Sequence, residues 1–377
     1  MSTEKIYNLE YIDFTKEPMF FGKGKNTQRF DEMKYSFFDE RNGKMQGFDW
    51  AFDEAKLTQD YIDFNQEMKT HEKFMVTRDL QRLIFFDSMQ GRGILATLGQ
   101  ICTLPELENA MLTWQYFEGA KHSKTYTENI KGMYINPKEV FDESFSIPEI
   151  TKMAKSISAP YEEAYEMIIE YQYMQIKKIP ITEQFMNSIR RVVVRLVVAI
   201  NILEGVRFYP GFSCIWALNK GQGFLDGTSK NLKLICRDEN CHLSVSQKML
   251  QLFKQKEDEG FMQIMNEMNS EIYYMYSVAY EEEAEWIDYL FSKGSILGYN
   301  AEIAKEYLKY IINRRLKAIG QPIMFSGCAS NPIPWIEPYI NMDGVEILPQ
   351  EGIITNYISG GVDTSKEANT DLYKGVL

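Results

Sequence analysis

VVVRLVVAINILEGVRFYPGF, residues Val192 to Phe212, is the most apolar stretch of this chain. Arg195, Asn201, Glu204 and Arg207 interrupt it, which suits a buried helix of a soluble protein and not a membrane span. Glu204, flanked by Leu203 and Val206, decides what kind of helix this is. A carboxylate in such company costs on the order of several kcal/mol unless it is paired or holds a metal. Arg207, one turn on, offers the plainer partner. Asp87 poses the same question, because it follows the apolar run Leu83-Ile-Phe-Phe86.

Outward from this helix, helical periodicity dominates and strand alternation is scarce. The pattern predicts helices over about 27–41, 70–93, 104–132, 147–155, 160–176, 183–219, 229–255, 258–292 and 300–318. Thr103-Leu-Pro-Glu106 and Ser146-Ile-Pro-Glu149 read as helix starts, each with a hydroxyl at the N-cap, a proline in the first turn and a glutamate three residues on. Pro210 should kink the helix that carries Glu204 and deprive the carbonyl near Val206 of its usual partner. From Asn341 onward the helical stripe stops. Composition there supports a frayed terminus and a partner-captured peptide about equally.

Histidine is scarce: His71, His122 and His242 are the three in the chain. His242 follows Glu239 by three residues and His122 follows Glu118 by four. On a helix these offsets are about −60° and +40°, so each pair shares a face and can offer one carboxylate oxygen and one imidazole nitrogen to a metal. Helical bundles with a carboxylate-bridged metal pair take such a pair from each of two helices and a lone carboxylate from each of two others. Asp87 and Glu204 suit the lone positions. A single Glu/His pair more often marks a solvated face, but the four-helix combination is much rarer. Oxygen and imidazole donors without thiolate suit iron or manganese better than copper.

The bulk numbers narrow the class further. A net charge of −12 argues against a nucleic-acid surface. Cys102, Cys214, Cys236, Cys241 and Cys328 are odd in number and form no paired framework, which argues against a disulfide-built secreted protein. The opening MSTEKIYNLE lacks the apolar core of a signal peptide, so a cytoplasmic protein is expected.

Five segments together resemble the small subunit of class I ribonucleotide reductases: Lys16-Glu-Pro-Met-Phe-Phe-Gly22, Asp87-Ser-Met-Gln-Gly-Arg92, Leu203-Glu-Gly-Val-Arg-Phe-Tyr209, Arg237-Asp-Glu-Asn-Cys-His-Leu243 and Ser330-Asn-Pro-Ile-Pro-Trp335. The resemblance runs over nearly the whole chain. It implies an all-α, ferritin-like bundle over residues 1–340 and a flexible tail over 341–377 that docks a large subunit. It also implies a homodimer of the iron-dependent subclass that makes a tyrosyl radical with oxygen. Two iron ions are the expected cofactor, though a manganese or mixed pair would accept the same ligands. The implied ligands are Asp87, Glu118, His122, Glu204, Glu239 and His242, and the implied radical site is Tyr126. Trp50, Asp238 and His122 match the family's route for electron and proton, and Tyr357 matches the tyrosine that hands the radical on. Phe208, Phe212 and Ile235 match the apolar shell around the radical. Unaided by the resemblance, Tyr126, Phe208 and Phe212 read as core aromatics, and Asp238 as an arginine's partner.

The chain departs from the family's Glu-x-x-His at Glu118-Gly-Ala-Lys-His122, which has one residue more. Aligning from the left would put Lys121 on the histidine position, but the Ser123-Lys-Thr-Tyr126 beyond it favours His122. An extra residue turns what lies beyond it by about 100° unless the helix absorbs it. A single π turn at Gly119 would do so; otherwise Glu118 meets the metals from a shifted angle. Two rivals stand beside the radical-generating reading. One is a two-metal oxidase or oxygenase with its own substrate, and the other a metal-poor subunit that only regulates its partner.

Overall fold

The computed structural model describes residues 7–255 and 259–340. Helices follow one another as α1 (Ser36–Gly47), α2 (Thr58–Ile62), α3 (Thr70–Ala96), α4 (Leu98–Ile101), α5 (Pro105–Tyr116), α6 (Ser123–Met133), α7 (Pro137–Ser144) and α8 (Pro148–Ile176). They continue as α9 (Glu183–Ile202), α10 (Phe208–Gln222), α11 (Asp226–Gln255), α12 (Phe261–Glu267), α13 (Asn269–Leu290), α14 (Ala301–Ala318) and α15 (Glu337–Ile340). Among the described residues no strand forms, only isolated bridges at Phe20–Cys102 and Ile296–Tyr299. The fold is all-α, as the periodicity requires.

Three π segments extend or join these helices. Asp63–Glu67 extends α2, Phe117–His122 joins α5 to α6, and Leu203–Arg207 joins α9 to α10. The last two therefore make continuous rods of paired helices. α9 is the central element, with Val192, Val193, Val194, Leu196, Val197, Val198, Ile200 and Ile202 all buried. β-Branched residues are indifferent helix formers, but burial of each contributes about 1.5–3 kcal/mol and outweighs a propensity loss below about 1 kcal/mol. Thr182 caps the N-terminus of α9 by accepting from the Phe185 N–H. α8, α11, α12 and α13 pack around α9, while α3 lies against α5, α6, α8 and α10.

The structure departs from the periodicity reading at several places. Residues 27–35 are not helical, and the first helix is Ser36–Gly47. α2 and its π extension were not expected; in the fold they cap the start of another helix. Asp60 accepts from the N–H groups of Gly227 (2.9 Å) and Thr228 (2.6 Å), and Asp63 from that of Leu225 (2.9 Å). Two carboxylates distant in sequence thus satisfy the amide groups that begin α11. α8 runs unbroken through Pro160, because Ile157, Tyr161 and Ala164 are buried on either side of it. The 258–292 segment breaks at Met268 into α12 and α13. Neither expected hydroxyl cap forms: Thr103 Oγ1 accepts from Gly22 N (2.8 Å), and Ser146 Oγ donates to the Glu143 carbonyl (2.8 Å). Leu104 and Ile147 stand at the N-caps, and the prolines occupy the first turns.

No described helix is long and apolar enough to cross a membrane.

Candidate metal centre

Four rods deliver the site. Asp87 comes from α3, Glu118 and His122 from the π segment between α5 and α6, Glu204 from that between α9 and α10, and Glu239 and His242 from α11. All six are fully buried. Asp87, Glu118, His122 and Glu239 turn one donor atom each into a common space, and so do Glu118, Glu204, Glu239 and His242. The two groups share Glu118 and Glu239, so these two carboxylates face both positions.

The π turn that could absorb the extra residue is present, and both Glu118 and His122 lie on it. Lys121 points away instead. Its ammonium donates to the Trp50 carbonyl and pairs with Asp49 at 2.7 Å. Pro210 sits inside α10, and the irregularity it was expected to cause lies just upstream, in the π segment bearing Glu204. There Arg315 Nε donates to the Gly205 carbonyl at 3.0 Å. Arg207 is not the partner of Glu204; it pairs with Glu282 (2.6 Å) and Glu283 (3.0 Å). His71 lies elsewhere, with its Nε2 against the Ser295 carbonyl.

Distances within the cluster are short. His242 Nδ1 lies 3.0 Å from both Glu118 Oε1 and Glu239 Oε2, and His122 Nδ1 lies 3.1 Å from Glu239 Oε1. Yet both oxygens of Asp87, one each of Glu118, Glu204 and Glu239, and Nδ1 of His122 have no hydrogen-bond partner. Such atoms are rare in a fold unless something else takes their lone pairs. Four carboxylates would balance the charge of two divalent cations. The residues therefore fit a metal pair, by orphaned atoms and by charge.

Electrostatics agree with a strained donor set. Burial, and then the charge of Glu118, push Asp87 well above the usual carboxylate range. Glu204 rises likewise from burial and from Glu239, and Glu239 from burial and Glu118. Glu118 goes the other way: burial would raise it, but His122 and His242 hold it at about 2. Burial would lower His122, but Asp238 and Glu118 raise it to about 10. Metal binding must displace such protons, so affinity will rise with pH.

Tyr126, on α6, is fully buried and its hydroxyl has no hydrogen-bond partner. Burial and then the charge of Asp87 keep its phenol protonated. On the other side of His122, Nε2 lies 3.3 Å from Asp238 Oδ2, and the same oxygen accepts from the Trp50 indole at 2.7 Å. The Trp50 and His122 rings lie near parallel, 6.3 Å apart. Asp238 also meets Arg237, at 3.4 Å, so the plainer reading of this residue describes a second contact of the same group. Phe208, Phe212 and Ile235 are fully buried, the two phenylalanines stacked at 5.6 Å with Phe86 edge-on to Phe208. Tyr357 lies outside the described residues.

Sequence reasoning missed three neighbours. Gln90 donates to Glu204 Oε1 and accepts from the Tyr161 hydroxyl. Trp114 donates to Glu118 Oε1 (2.8 Å) and stacks on His242 at 5.1 Å. Gln90 follows Asp87 by three residues and Trp114 precedes Glu118 by four, so helical spacing could have found both. Nothing local marks Tyr161.

Four helical rods around four carboxylates and two histidines define the class: a ferritin-like, dimetal-carboxylate helical protein. The sequence profile of the family described as "Ribonucleotide reductase, small chain" matches residues 28–332, and the chain belongs to that family. It is 35% identical over 364 residues to the ribonucleoside-diphosphate reductase 1 subunit beta of Escherichia coli O157:H7, covering 95% of each. Among solved structures it resembles the ribonucleotide reductase R2 subunit from Clostridium botulinum, with TM-score 0.74 and 25% identity over 89% of this chain and 98% of that one. The fold is also that of the dimanganese(II)-NrdF of Streptococcus sanguinis, with TM-score 0.65 and 20% identity over 84% and 99%.

Proposed function

We propose that this chain is the radical-generating subunit of a class I ribonucleoside-diphosphate reductase, and that it works as a homodimer in the cytoplasm. Asp87, Glu118, His122, Glu204, Glu239 and His242 would hold two transition-metal ions. We assign two irons; the donors suit manganese or one of each as well. When bound, the pair supplies the power to oxidise a phenol at the expense of dioxygen.

The chain's own residues do the rest. Tyr126 gives up one electron and its phenolic proton, with Asp87 the first carboxylate in its field. The apolar walls of Phe208, Phe212 and Ile235 keep the resulting radical from solvent. The oxidising equivalent leaves when an electron returns through Trp50, whose indole N–H stays bonded to Asp238 throughout. Tyr357, on the tail 341–377, would pass the equivalent to the large subunit, where the nucleotide is reduced.

One observation carries this reading. His122 turns Nδ1 to the donor cluster and Nε2 to Asp238, which in turn holds Trp50. An oxygenase acting on its own substrate has no use for such an exit. The convergence of all six donors speaks against a metal-poor regulator.

Mixed with the large subunit of a class I reductase, the full chain should convert ribonucleoside diphosphate to deoxyribonucleoside diphosphate. A chain lacking its last twenty or so residues should keep its metals and radical and lose turnover. Full turnover by the truncated chain would refute the role of the tail.

A further inference from the structure

Trp50 sits in a short connection that helps carry α1 to α2, and two cations grip it. Lys121 Nζ donates to the Trp50 carbonyl, pairs with Asp49 at 2.7 Å and lies over the Tyr116 ring at 5.3 Å. Arg237 donates to the Phe48 carbonyl at 2.6 Å and stacks on the Phe48 ring at 4.3 Å. Each cation is the chain neighbour of a residue on the proposed exit route: Lys121 precedes His122 and Arg237 precedes Asp238. The segment that bears the indole is therefore tied directly to the two turns that bear its partners.

Lys121 has a particular origin. It belongs to the five-residue stretch Glu118–His122, where this chain has one residue beyond the Glu-x-x-His spacing, and it lies on the π turn that accommodates it. Its side chain is largely covered, at 12% exposure, whereas Asp49 is 59% exposed. An ion pair with so exposed a partner contributes little by itself. The bond to a main-chain carbonyl is different, because it fixes where the Trp50 backbone, and so its indole, can be.

We propose that Lys121 is a positioning residue for radical transfer: it locks the Trp50 backbone to the turn carrying His122, so that the indole, Asp238 and His122 stay in hydrogen-bond register. This rests on the reading of Trp50 and Asp238 as the radical's exit. Misplacement of a reacting group by about 1 Å can cost on the order of 100-fold in rate. A loosened backbone carbonyl should cost less, about tenfold.

The test compares Lys121→Met, which keeps the stem and drops the donor, with Lys121→Arg, which restores one. Lys121→Met should load metals and form tyrosyl radical to the wild-type level. It should lose about tenfold in nucleotide reduction with the large subunit. In the metal-free chain, amide hydrogen exchange across residues 46–52 should be faster than in wild type. Lys121→Arg should recover most of the turnover. Wild-type turnover in Lys121→Met would overturn the proposal, as would a radical yield that falls in step with turnover. Trp50→Phe is the control for the underlying route: undiminished turnover there would refute the route itself, and the Lys121 proposal with it.

Discussion

Asp79 lies two turns before Asp87 on α3 and is just as buried, yet it belongs to no donor group. It packs against Gly211, where an added β-carbon would fall 2.2 Å from Oδ1. Burial raises its carboxyl to about 7, with Arg82 opposing the rise. The folded chain thus holds this proton more tightly than the unfolded one. Stability from this group is full below the ordinary carboxylate range, falls as pH climbs towards 7, and stays lost above it. Asp79→Asn removes the penalty. In thermal unfolding of the metal-free chain, the variant should be more stable than wild type at pH 8, by up to about 4 kcal/mol. That advantage should largely vanish near pH 4–5. An equal gain at both pH values would mean that packing, not titration, governs the site. The contrast with Asp87 is instructive: both carboxylates are buried, but only Asp87 faces a glutamate and a histidine across a shared space.

At the scale of elements, the two π segments decide the geometry, because Glu118, His122 and Glu204 all lie on them. α3 presses closely on the first. A β-carbon on Gly91 would stand 3.1 Å from both Glu118 Cβ and Gly119 N. Gly91→Ala should push this turn away from α3, at a cost of about 1–3 kcal/mol for overpacking. Metal bound per chain, measured by elemental analysis after reconstitution, should drop below two. Unchanged stoichiometry would show that the turn tolerates the shift. The same elements mark what could be read from the chain alone. Scarce histidines at helical offsets from glutamates, with Glu204 and Asp87 in apolar runs, are local signals, and they pointed to the residues that converge. The rod α9–α10 was legible from its apolar run. Contacts made across space were not: Asp60 and Asp63 capping the start of α11, Tyr161 holding Gln90, and Lys121 bonded to Trp50 carry no periodicity. Thr103 illustrates the converse, since its capping pattern yielded to a distant partner, Gly22, whereas the Ser146 hydroxyl turned back to the Glu143 carbonyl.

On the scale of the molecule, the fold gathers six donor side chains into one buried centre. The carboxylates of four rods meet with two histidines, and a single histidine connects that centre to Asp238 and an indole near the surface. Trp50 is 5% exposed, while neighbouring Asp49 opens to solvent. This arrangement separates the making of an oxidant from its use, which suits a subunit that serves a partner. The tail at 341–377, with Tyr357, lies outside the described residues, and its coupling role stands on the comparison of turnover by full and truncated chains. The central claim is that the centre oxidises Tyr126, and electron paramagnetic resonance tests it most directly. The chain is loaded anaerobically with ferrous iron, then exposed to oxygen. The account predicts a tyrosyl signal in wild type that is absent in Tyr126→Phe while two irons per chain remain bound. Iron uptake without a tyrosyl signal, or a signal that survives in Tyr126→Phe, would contradict it.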